Sequence, residues 1–316
     1  MTLTAGAESN SRYARMLEMA RPLEPLTTAV VHPVDPASLA GALDAAAHGL
    51  IRPILVGPRA KIDVAAAAAG RDLAGIPRVD TPHSHAAADA AVRLVHEGRA
   101  EAIMKGSLHT DELMAAVVAE TGLRTGRRAS HVFALDVPTY PKPLFITDAA
   151  INIEPSLEAK ADIVQNAIDL AHALGIARPK VAILAAVETV TSKMRSTLDA
   201  AALCKMADRG QISGGLLDGP LAFDNAISKE AASAKGIVSE VAGDPDILVA
   251  PNIESGNMIA KQLIWLAGAE AAGLVLGARV PVMLTSRSDG PLARAASAAL
   301  ALLFARRQAA TRPVSA

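Results

Sequence analysis

The sequence has few aromatic residues and a single cysteine, and both shortages limit what the chain can be. Two Tyr, four Phe and one Trp among 316 residues offer few surfaces on which single-stranded nucleic acid could stack. The 31 basic and 32 acidic side chains nearly cancel, so the overall charge does not attract a polyanion. We therefore expect no nucleic-acid partner. Cys204 lies among helix-forming residues without a second cysteine, which favours a buried structural thiol.

Long apolar runs are missing as well. No run reaches the roughly 18 residues that a membrane-spanning helix requires, and residues 1–20 lack the apolar centre of a secretory signal. We therefore expect a cytoplasmic protein that does not associate with membranes. Hydrophobic residues still make up 51% of the chain, which is enough for a large aliphatic core and, at this length, for about two domains.

Short aliphatic runs alternate with longer segments of helical period, which is typical of a parallel α/β sheet. The predicted helices include 38–49, 85–97, 157–174 and 257–266. The predicted strands are 27–33, 52–57, 101–106, 131–137, 144–148, 180–187, 214–220, 246–252 and 280–286. The runs 131–137 and 144–148 are joined by a short Pro-rich connection that leaves no room for a helical crossover, so they predict an antiparallel hairpin.

Ligands of open parallel sheets bind beyond the carboxyl ends of the strands, so the residues that follow each strand are candidates for the site. The run 101–106 leads into Lys105, Gly106, Ser107, His109 and Thr110, just before a predicted helix. A glycine allows close approach of the backbone, and the helix start and the polar side chains supply donors, so this loop could cradle a phosphate. The same loop also suits an ordinary strand-to-helix turn with Ser107 or Thr110 as the N-cap.

Two further strand ends carry polar residues. Thr147, Asp148 and Asn152 follow the run 144–148 and could orient a small ligand, although Asp and Asn serve equally well in turns. Gly256 and Asn257 follow the run 246–252 at the start of a predicted helix, where a ligand contact and a helix cap are both reasonable interpretations.

The last strand is followed by Ser286, Arg287 and Asp289. A guanidinium offers a fork of donors that matches phosphate or carboxylate, a serine hydroxyl can donate to a developing oxyanion, and a carboxylate can accept a proton. A capped helix start with an Asp in its first turn is the alternative. The eight histidines include no pair with metal-ligand spacing, so we predict neither a metal nor a resident cofactor.

The chain from about residue 26 to 306 resembles the phosphotransacetylase and phosphate butyryltransferase family. The resemblance is carried by these runs: MKGSLHTDELMAAVV, GLRTGRRASHV, LFITDAAINIEPSLEAKADIVQNAIDLAHALGI, LAAVETV, DAAALCKMADRGQISGGLLDGPLAFDNAIS, VAGDPDILVAPNIESGNMIAK and VPVMLTSRSD. It implies an acyltransferase that reversibly moves a short acyl group, acetyl or butyryl, between coenzyme A and inorganic phosphate, by thiolate attack in a ternary complex.

The resemblance also implies a fold and an assembly. The fold resembles isocitrate and isopropylmalate dehydrogenases, with two α/β/α domains and a cleft between them. The first α/β domain would comprise 1–126 plus 273–316, and the second, 127–272, would carry the interface of a homodimer.

The resemblance assigns roles to several residues. Ser286 and Arg287 match a Ser-Arg pair of the family's active site. Asp289 is a candidate base by proximity only, because this loop is shorter than that of the transacetylases. The Lys105 loop matches the phosphate-side block, and Arg124 is a candidate for a second phosphate cation, with a solvated surface arginine as the alternative.

Two other functions fit parts of the pattern. One is a catalytically silent module that binds acyl-CoA, against which the Ser286-Arg287 and Lys105-Gly106 pairs argue. The other is a dehydrogenase of the same fold, which would need a carboxylate-rich metal site that we do not find in the sequence.

Overall fold

The computed structural model describes residues 12–284 and 290–311, and in them strands and helices alternate along the chain. The strands are β1 (Leu26–Val31), β2 (Ile51–Gly57), β3 (Arg78–Asp80), β4 (Ala102–Lys105), β5 (Ser130–Asp136), β6 (Leu144–Thr147), β7 (Lys180–Leu184), β8 (Leu216–Leu221), β9 (Ile247–Val249), β10 (Glu270–Leu276) and β11 (Val282–Met283). The helices are α1 (Arg12–Ala20), α2 (Pro36–Ala47), α3 (Arg59–Ala69), α4 (Ser84–His96), α5 (Thr110–Val117), α6 (Leu157–Ala173), α7 (Arg195–Asp208), α8 (Phe223–Ile227), α9 (Lys229–Ala234), α10 (Ile253–Leu266) and α11 (Pro291–Thr311).

The chain divides into two compact units. The first unit contains both ends of the chain, Met1–Arg127 and Ala272–Ala316, and the second is Arg128–Ala271. Each has the mixed α/β character that alternating strands and helices predict.

The first unit has the strand order β3-β2-β1-β4-β11-β10. Strands β1, β2, β3, β4 and β11 are parallel to their neighbours within this set, and β10 runs antiparallel to β11. The five parallel strands therefore end at the same edge of the sheet, and the loops that follow them emerge together. We call this edge the carboxyl edge.

The second unit has the strand order β5-β6-β9-β7-β8. Strands β5 and β6 form the antiparallel hairpin that the sequence predicts, with Phe133 paired to Ile146. Strands β6, β9, β7 and β8 are parallel, so the predicted parallel sheet is confirmed here and the hairpin interrupts it as expected.

Small aliphatic side chains fill both interiors, as the scarcity of aromatic residues requires. Helix α11 shows this most clearly, because six consecutive or nearly consecutive positions are fully buried: Ala296, Ala298, Ala299, Leu300, Ala301 and Leu302. In the second unit a similar aliphatic cluster includes Leu144, Ile146 and Leu248. Close packing of alanine faces lets helices approach the sheet tightly. Among the described residues, no helix combines the length and the apolar character needed to cross a bilayer.

Candidate active site

The loop after β4 is held against the end of β1. The backbone N–H of Gly106 donates to the carbonyl of Val31 at 2.8 Å, and that of Ser107 to the carbonyl of His32 at 2.9 Å. A Cβ on Gly106 would overlap the Val31 carbonyl oxygen and lie 2.8 Å from the His32 carbonyl oxygen. Only glycine fits this approach, so the loop has its shape because residue 106 has no side chain.

Lys105 is buried at the end of β4, with 8% of its surface exposed. Its ammonium group donates to the carbonyl oxygens of Gly106 at 3.3 Å and Leu108 at 3.1 Å. A buried ammonium is tolerated only when its protons are satisfied, and here they fix the loop that follows the strand. The positive charge therefore sits at the carboxyl edge rather than in bulk solvent.

Ser107 joins this loop to the start of α2. Its hydroxyl donates to Oδ2 of Asp35, and Asp35 is the N-cap that also accepts from the N–H groups of Ala37 and Ser38 at 2.9 Å. Burial opposes ionisation of Asp35, but the hydrogen bonds from Ser107, Ser38 and Ala37 outweigh it and lower the pKa of this carboxyl to about 2. Asp35 is therefore an ionised group that orients Ser107.

Helix α5 begins differently from the capped turn that the sequence allows as an alternative. The N-cap is His109, whose side chain makes no capping hydrogen bond, and Thr110 is the first helical residue. The interpretation of Ser107 or Thr110 as N-cap is therefore wrong, because the chain enters the helix one residue before Thr110 and two after Ser107. The His109 side chain is exposed, and the first N–H groups of α5 have no hydrogen-bond partner among the described residues, so both can contact a ligand.

His32 is a residue of this edge that the sequence analysis missed. It follows β1 with φ of 56°, an uncommon conformation for a residue other than glycine, and its ring is buried with no hydrogen-bond partner for Nδ1 within the described ranges. Burial and the charge of Lys61 lower its pKa, and Glu112 opposes them. The signal was a histidine directly at a strand end, before Pro33.

Arg124 lies in the same unit, on the chain that leads out of α5. Its backbone forms an antiparallel bridge with Ala278, and Thr125 donates to the carbonyl of Gly277 at 2.6 Å. The Arg124 side chain is exposed and forms no ion pair with a residue that the structure describes. Its assignment to phosphate stays a prediction.

Ser286, Arg287 and Asp289 lie outside the described residues. What the structure does describe is the strand that leads to them. In β11, Val282 pairs with Ile103 and Met283 with Met104, in the parallel sense. The strand before the predicted catalytic run is therefore the immediate neighbour of the strand that ends in Lys105.

In the second unit, the loop after β6 is organised by Asp148. One carboxylate oxygen accepts from the N–H groups of Ala150, Ile151 and His131, at 3.0 to 3.2 Å. The other accepts from the backbone N–H of Asn152 at 3.0 Å and from its side chain at 2.5 Å. The side chain of Asp148 thus acts as the turn residue that the alternative interpretation describes, and contact with a ligand stays a prediction.

Thr147 and Asn152 hold the same loop to its neighbours. The hydroxyl of Thr147 donates to the carbonyl of His131 at 2.9 Å. The amide of Asn152 donates to the carbonyl of Ala129 at 2.8 Å and accepts from Nε of Arg128 at 2.9 Å. This arrangement leaves the guanidinium of Arg128 oriented by the loop, which makes Arg128 a second residue that sequence reasoning missed.

Helix α10 packs its first turns against this loop. A Cβ on Gly256 would overlap the carbonyl oxygen of Asp148, and the side chain of Asn257 donates to the carbonyl of Ala149 at 3.0 Å. The helix is capped by Asn252, so neither Gly256 nor Asn257 is the cap. Gly256 instead allows close packing of α10 on the loop, and Asn257 holds that packing with its hydrogen bond.

The chemistry of the first unit suits an oxyanion. Its carboxyl edge combines a buried ammonium, a glycine loop, an oriented serine and the open start of α5, and these groups can hold a charged oxygen. Within the described ranges, no group of three His, Cys, Asp or Glu side chains has the geometry to hold a metal ion. Burial raises the pKa of Cys204 to about 12, which makes this thiol a poor nucleophile at neutral pH.

Comparisons with known proteins identify the family. The family model described as "Phosphate acetyl/butaryl transferase" matches residues 83–301. The chain is 62% identical over 301 residues to a phosphate acetyltransferase of Rhizobium meliloti, with 95% of each chain covered. It is 45% identical to a phosphate butyryltransferase of Clostridium acetobutylicum, over 83% of this chain and 87% of the relative.

The fold agrees with these matches. A branched-chain phosphotransacylase from Enterococcus faecalis V583 superposes with a TM-score of 0.75 at 29% identity, covering 89% of this chain and 99% of that one. The family model spans well over half of the chain, and the match to the Rhizobium meliloti relative covers 95% of it. The chain therefore belongs to the phosphate acetyl/butyryltransferase family.

Proposed function

We propose that this protein is a phosphate acyltransferase that uses coenzyme A as a substrate. It reversibly converts acyl-CoA and inorganic phosphate into acyl phosphate and CoA. The observation that carries the proposal is the 62% identity, along nearly the whole chain, to a protein named phosphate acetyltransferase. The carboxyl edge of the first unit supports it, because the buried Lys105 ends β4 there and Ser107, which follows it, is oriented by Asp35.

The reaction needs three kinds of group. In the direction of CoA acylation, the CoA thiol loses a proton, its sulfur attacks the carbonyl carbon of the acyl phosphate, and the C–O bond to phosphate breaks. Between attack by the sulfur and cleavage of the C–O bond, the carbonyl oxygen carries negative charge and needs hydrogen-bond donors. The departing phosphate needs cations. We propose that residues of the Lys105 loop and of the run after β11 meet these three requirements.

We assign these roles to named residues. Arg287 and Lys105 supply positive charge to the phosphate, with Gly106 allowing close approach of backbone and substrate. Ser286 donates to the oxygen of the reacting carbonyl. Asp289 accepts the thiol proton, whose ordinary pKa of about 8.5 for a free thiol would otherwise leave little thiolate at neutral pH. Ser107, His109, Thr110 and Arg124 complete the phosphate side, and Thr147, Asp148, Asn152, Gly256 and Asn257 complete substrate binding.

Acetyl is the acyl group that we propose. The relative named acetyltransferase is 62% identical and the one named butyryltransferase 45%. A pocket discriminates each added methylene by only about 1 to 3 kcal/mol, so propionyl-CoA and butyryl-CoA should react more slowly rather than be excluded.

The two compact units are proposed to be the two α/β/α domains of an isocitrate and isopropylmalate dehydrogenase-like fold, divided near residues 126 and 273.

We also propose a cytoplasmic homodimer whose interface lies on the second unit. Helix α10 supports this, because Met258, Trp265 and Leu266 are 63%, 72% and 81% exposed. Large apolar side chains that cluster on one exposed helix are typical of interfaces.

A thiol-release assay tests the proposed activity. Acetyl-CoA, propionyl-CoA and butyryl-CoA are each offered with and without phosphate, and released thiol and acyl phosphate are both measured. We expect release only with phosphate, in equal amounts with acyl phosphate, and fastest with acetyl-CoA. Release without phosphate would indicate a hydrolase, and no release with detectable acyl-CoA binding would indicate a silent binding module.

A further inference from the structure

Two serine hydroxyls converge on one carboxylate oxygen at the carboxyl edge of the first unit. Ser107, after β4, and Ser38, in the first turn of α2, both donate to Oδ2 of Asp35, and the Ser38 contact measures 2.6 Å. The two hydroxyl oxygens lie 3.2 Å apart. The other carboxylate oxygen, Oδ1, accepts from the N–H groups of Ala37 and Ser38 at 2.9 Å. Asp35 therefore holds both the start of α2 and the loop after β4.

The charge of Asp35 decides where the proton of Ser107 points. Burial opposes ionisation, but the hydrogen bonds from Ser107 and Ser38 lower the pKa of this carboxyl to about 2, so it is ionised at neutral pH. An ionised carboxylate only accepts hydrogen bonds, and a hydroxyl has a single proton. If the Ser107 proton pointed elsewhere, lone pairs of the two oxygens would face each other at hydrogen-bond distance. The proton therefore lies on the Asp35 side, whether Ser107 donates to Asp35 directly or through Ser38.

The other side of the Ser107 oxygen carries only lone pairs. Ser107 and Asp35 are both partly exposed, whereas Ser38 is buried. On the side that faces away from Asp35, Ser107 can accept a hydrogen bond but cannot donate one. An ionised ligand oxygen there would meet these lone pairs and the negative charge of Asp35 behind them. A ligand oxygen that contacts Ser107 must therefore bring its own proton.

Inorganic phosphate meets this requirement and sulfate does not. At neutral pH every phosphate ion carries at least one P–OH group beside its ionised oxygens, whereas none of the four oxygens of sulfate carries a proton. Phosphate can direct its P–OH group at Ser107 and leave its ionised oxygens for the cations of the site. Sulfate has the same shape, but it can offer Ser107 only an ionised oxygen.

We propose that Asp35 is a positioning residue that makes the site selective for phosphate over sulfate. Asp35 holds the proton of Ser107 inward, and Ser107 accepts a hydrogen bond from the P–OH group of the bound phosphate. This inference rests on the proposed function, which assigns phosphate to the Ser107 loop. A site that expects a hydrogen-bond donor rejects a ligand without one, because its polar group is then left unpaired.

Substitution of Asp35 by asparagine should reverse the direction of this contact. In Asp35→Asn, the amide oxygen can keep the N–H groups of α2, and the NH₂ group takes the place of Oδ2. The NH₂ group then donates to Ser107, whose proton turns outward and can bind an ionised oxygen. Ser107→Ala instead removes the acceptor and keeps the negative charge. Ser38→Ala is the matched control, because it removes the other hydroxyl on Oδ2 and leaves the Ser107 proton inward.

Calorimetric titrations of the full chain with phosphate and with sulfate test the proposal. At about pH 8 and constant ionic strength both ions are dianions, so the P–OH group is the difference that remains. We expect the parent to bind sulfate about ten- to a hundredfold more weakly than phosphate, which is the size of a hydrogen bond that involves a charged group. Ser38→Ala should keep this preference. Ser107→Ala should weaken phosphate about tenfold and leave sulfate weak.

Asp35→Asn is the decisive variant. It should bind sulfate about tenfold or more tightly than the parent does, and it should bind the two ions alike. Circular dichroism verifies that each variant is folded. Absence of phosphate binding by the parent, equal binding of the two ions by the parent, or an unchanged preference in folded Asp35→Asn would each overturn the proposal. A purely structural role of Asp35 would weaken both ions together and would not improve sulfate.

The thiol-release assay separates this proposal from the proposed function. Sulfate should inhibit acyl transfer weakly in the parent and, relative to the KM for phosphate, much more strongly in Asp35→Asn. If acyl phosphate forms but sulfate competes as well as its affinity for a non-selective site allows, the selectivity fails and the proposed function stands. If the titrations show the preference but no acyl phosphate forms, the proposed function fails and the role of Asp35 in anion selection stands.

Discussion

The hydroxyl of Ser107 donates a hydrogen bond to the carboxylate of Asp35, and this contact joins two segments that are 72 residues apart in the chain. Asp35 begins the helix after β1, and Ser107 follows β4, the strand beside it. The loop that we assign to the phosphate is thus hydrogen-bonded to the start of α2. Its position depends on the Asp35 carboxylate, which the surrounding hydrogen bonds keep ionised.

Asp35 should make stability depend on pH. Its pKa in the folded protein, about 2, is below the ordinary 3.8, so ionised Asp35 stabilises the fold above pH 4, and this contribution is lost as the pH falls from about 4 to 2. Asp35→Asn should lower the free energy of unfolding by about 1 kcal/mol at pH 7, because it removes a negative charge from the start of α2, and should flatten the dependence of that free energy on pH below pH 4. Urea unfolding at several pH values measures this. If the free energy of unfolding changed equally with pH below pH 4 in the parent and in Asp35→Asn, the lowered pKa of Asp35 would be contradicted.

Gly106→Ala tests the close approach of the phosphate-side loop to β1. The added Cβ would overlap the Val31 carbonyl, so the loop or the strand must move. We expect the free energy of unfolding to fall by about 1 to 3 kcal/mol. We also expect kcat/KM for phosphate to fall by a larger proportion than the free energy of unfolding, because the loop assigned to phosphate is displaced.

Gly126→Ala is the control for that substitution, because a Cβ there meets no atom within 4 Å. It should leave stability and turnover close to those of the parent. If both glycine variants behaved alike, the approach of Gly106 to Val31 would not be what requires glycine.

Arg287→Ala should abolish acyl transfer while the protein stays folded. The arginine is proposed to hold the departing phosphate, so its loss removes an interaction of the transition state, worth about 10²- to 10³-fold or more in kcat. Circular dichroism and unfolding verify the fold, and the thiol-release assay measures turnover. Arg93→Ala removes an equal charge elsewhere and should leave turnover unchanged. Undiminished turnover in Arg287→Ala would reject the assignment.

His131 should destabilise the protein in mild acid. It is fully buried beside Phe133, with ring centroids 4.4 Å apart, and burial lowers its pKa although Asp148 opposes the shift. The unfolded chain takes up a proton near pH 6.5 that the folded chain resists, so stability is full above that pH and falls below it. His131→Leu should reduce the slope of unfolding free energy between pH 6.5 and 5. His48→Gln, at an exposed position, should not.

The sequence predicts the strands and helices of this fold well where hydrophobic period and turn residues agree. The hairpin of β5 and β6 follows from its short connection, and β7 from a continuous apolar run. Strands β3 and β10 were missed. Strand β3 has three residues with little apolar content, and β10 begins with Glu270 and two alanines that suit a helix equally well.

The site is predicted less completely than the fold, for physical reasons. Polar residues after strands identify the edge at which ligands bind, since the carboxyl ends of parallel strands meet there. They do not reveal which side chains are used internally. Asp148 and Asn152 satisfy each other and their loop, and Asp35 has no motif of its own. His32 is a histidine at a strand end, but the structure adds its backbone conformation and an Nδ1 without a partner among the described residues.

Trp265 has a practical consequence for measurement. It is the only tryptophan in the sequence, and it stands 72% exposed on α10 rather than in either interior. Its emission should therefore be that of a hydrated indole in an isolated subunit and should shift to shorter wavelength when another surface covers α10. Intrinsic fluorescence of this protein will report association far more directly than it reports unfolding.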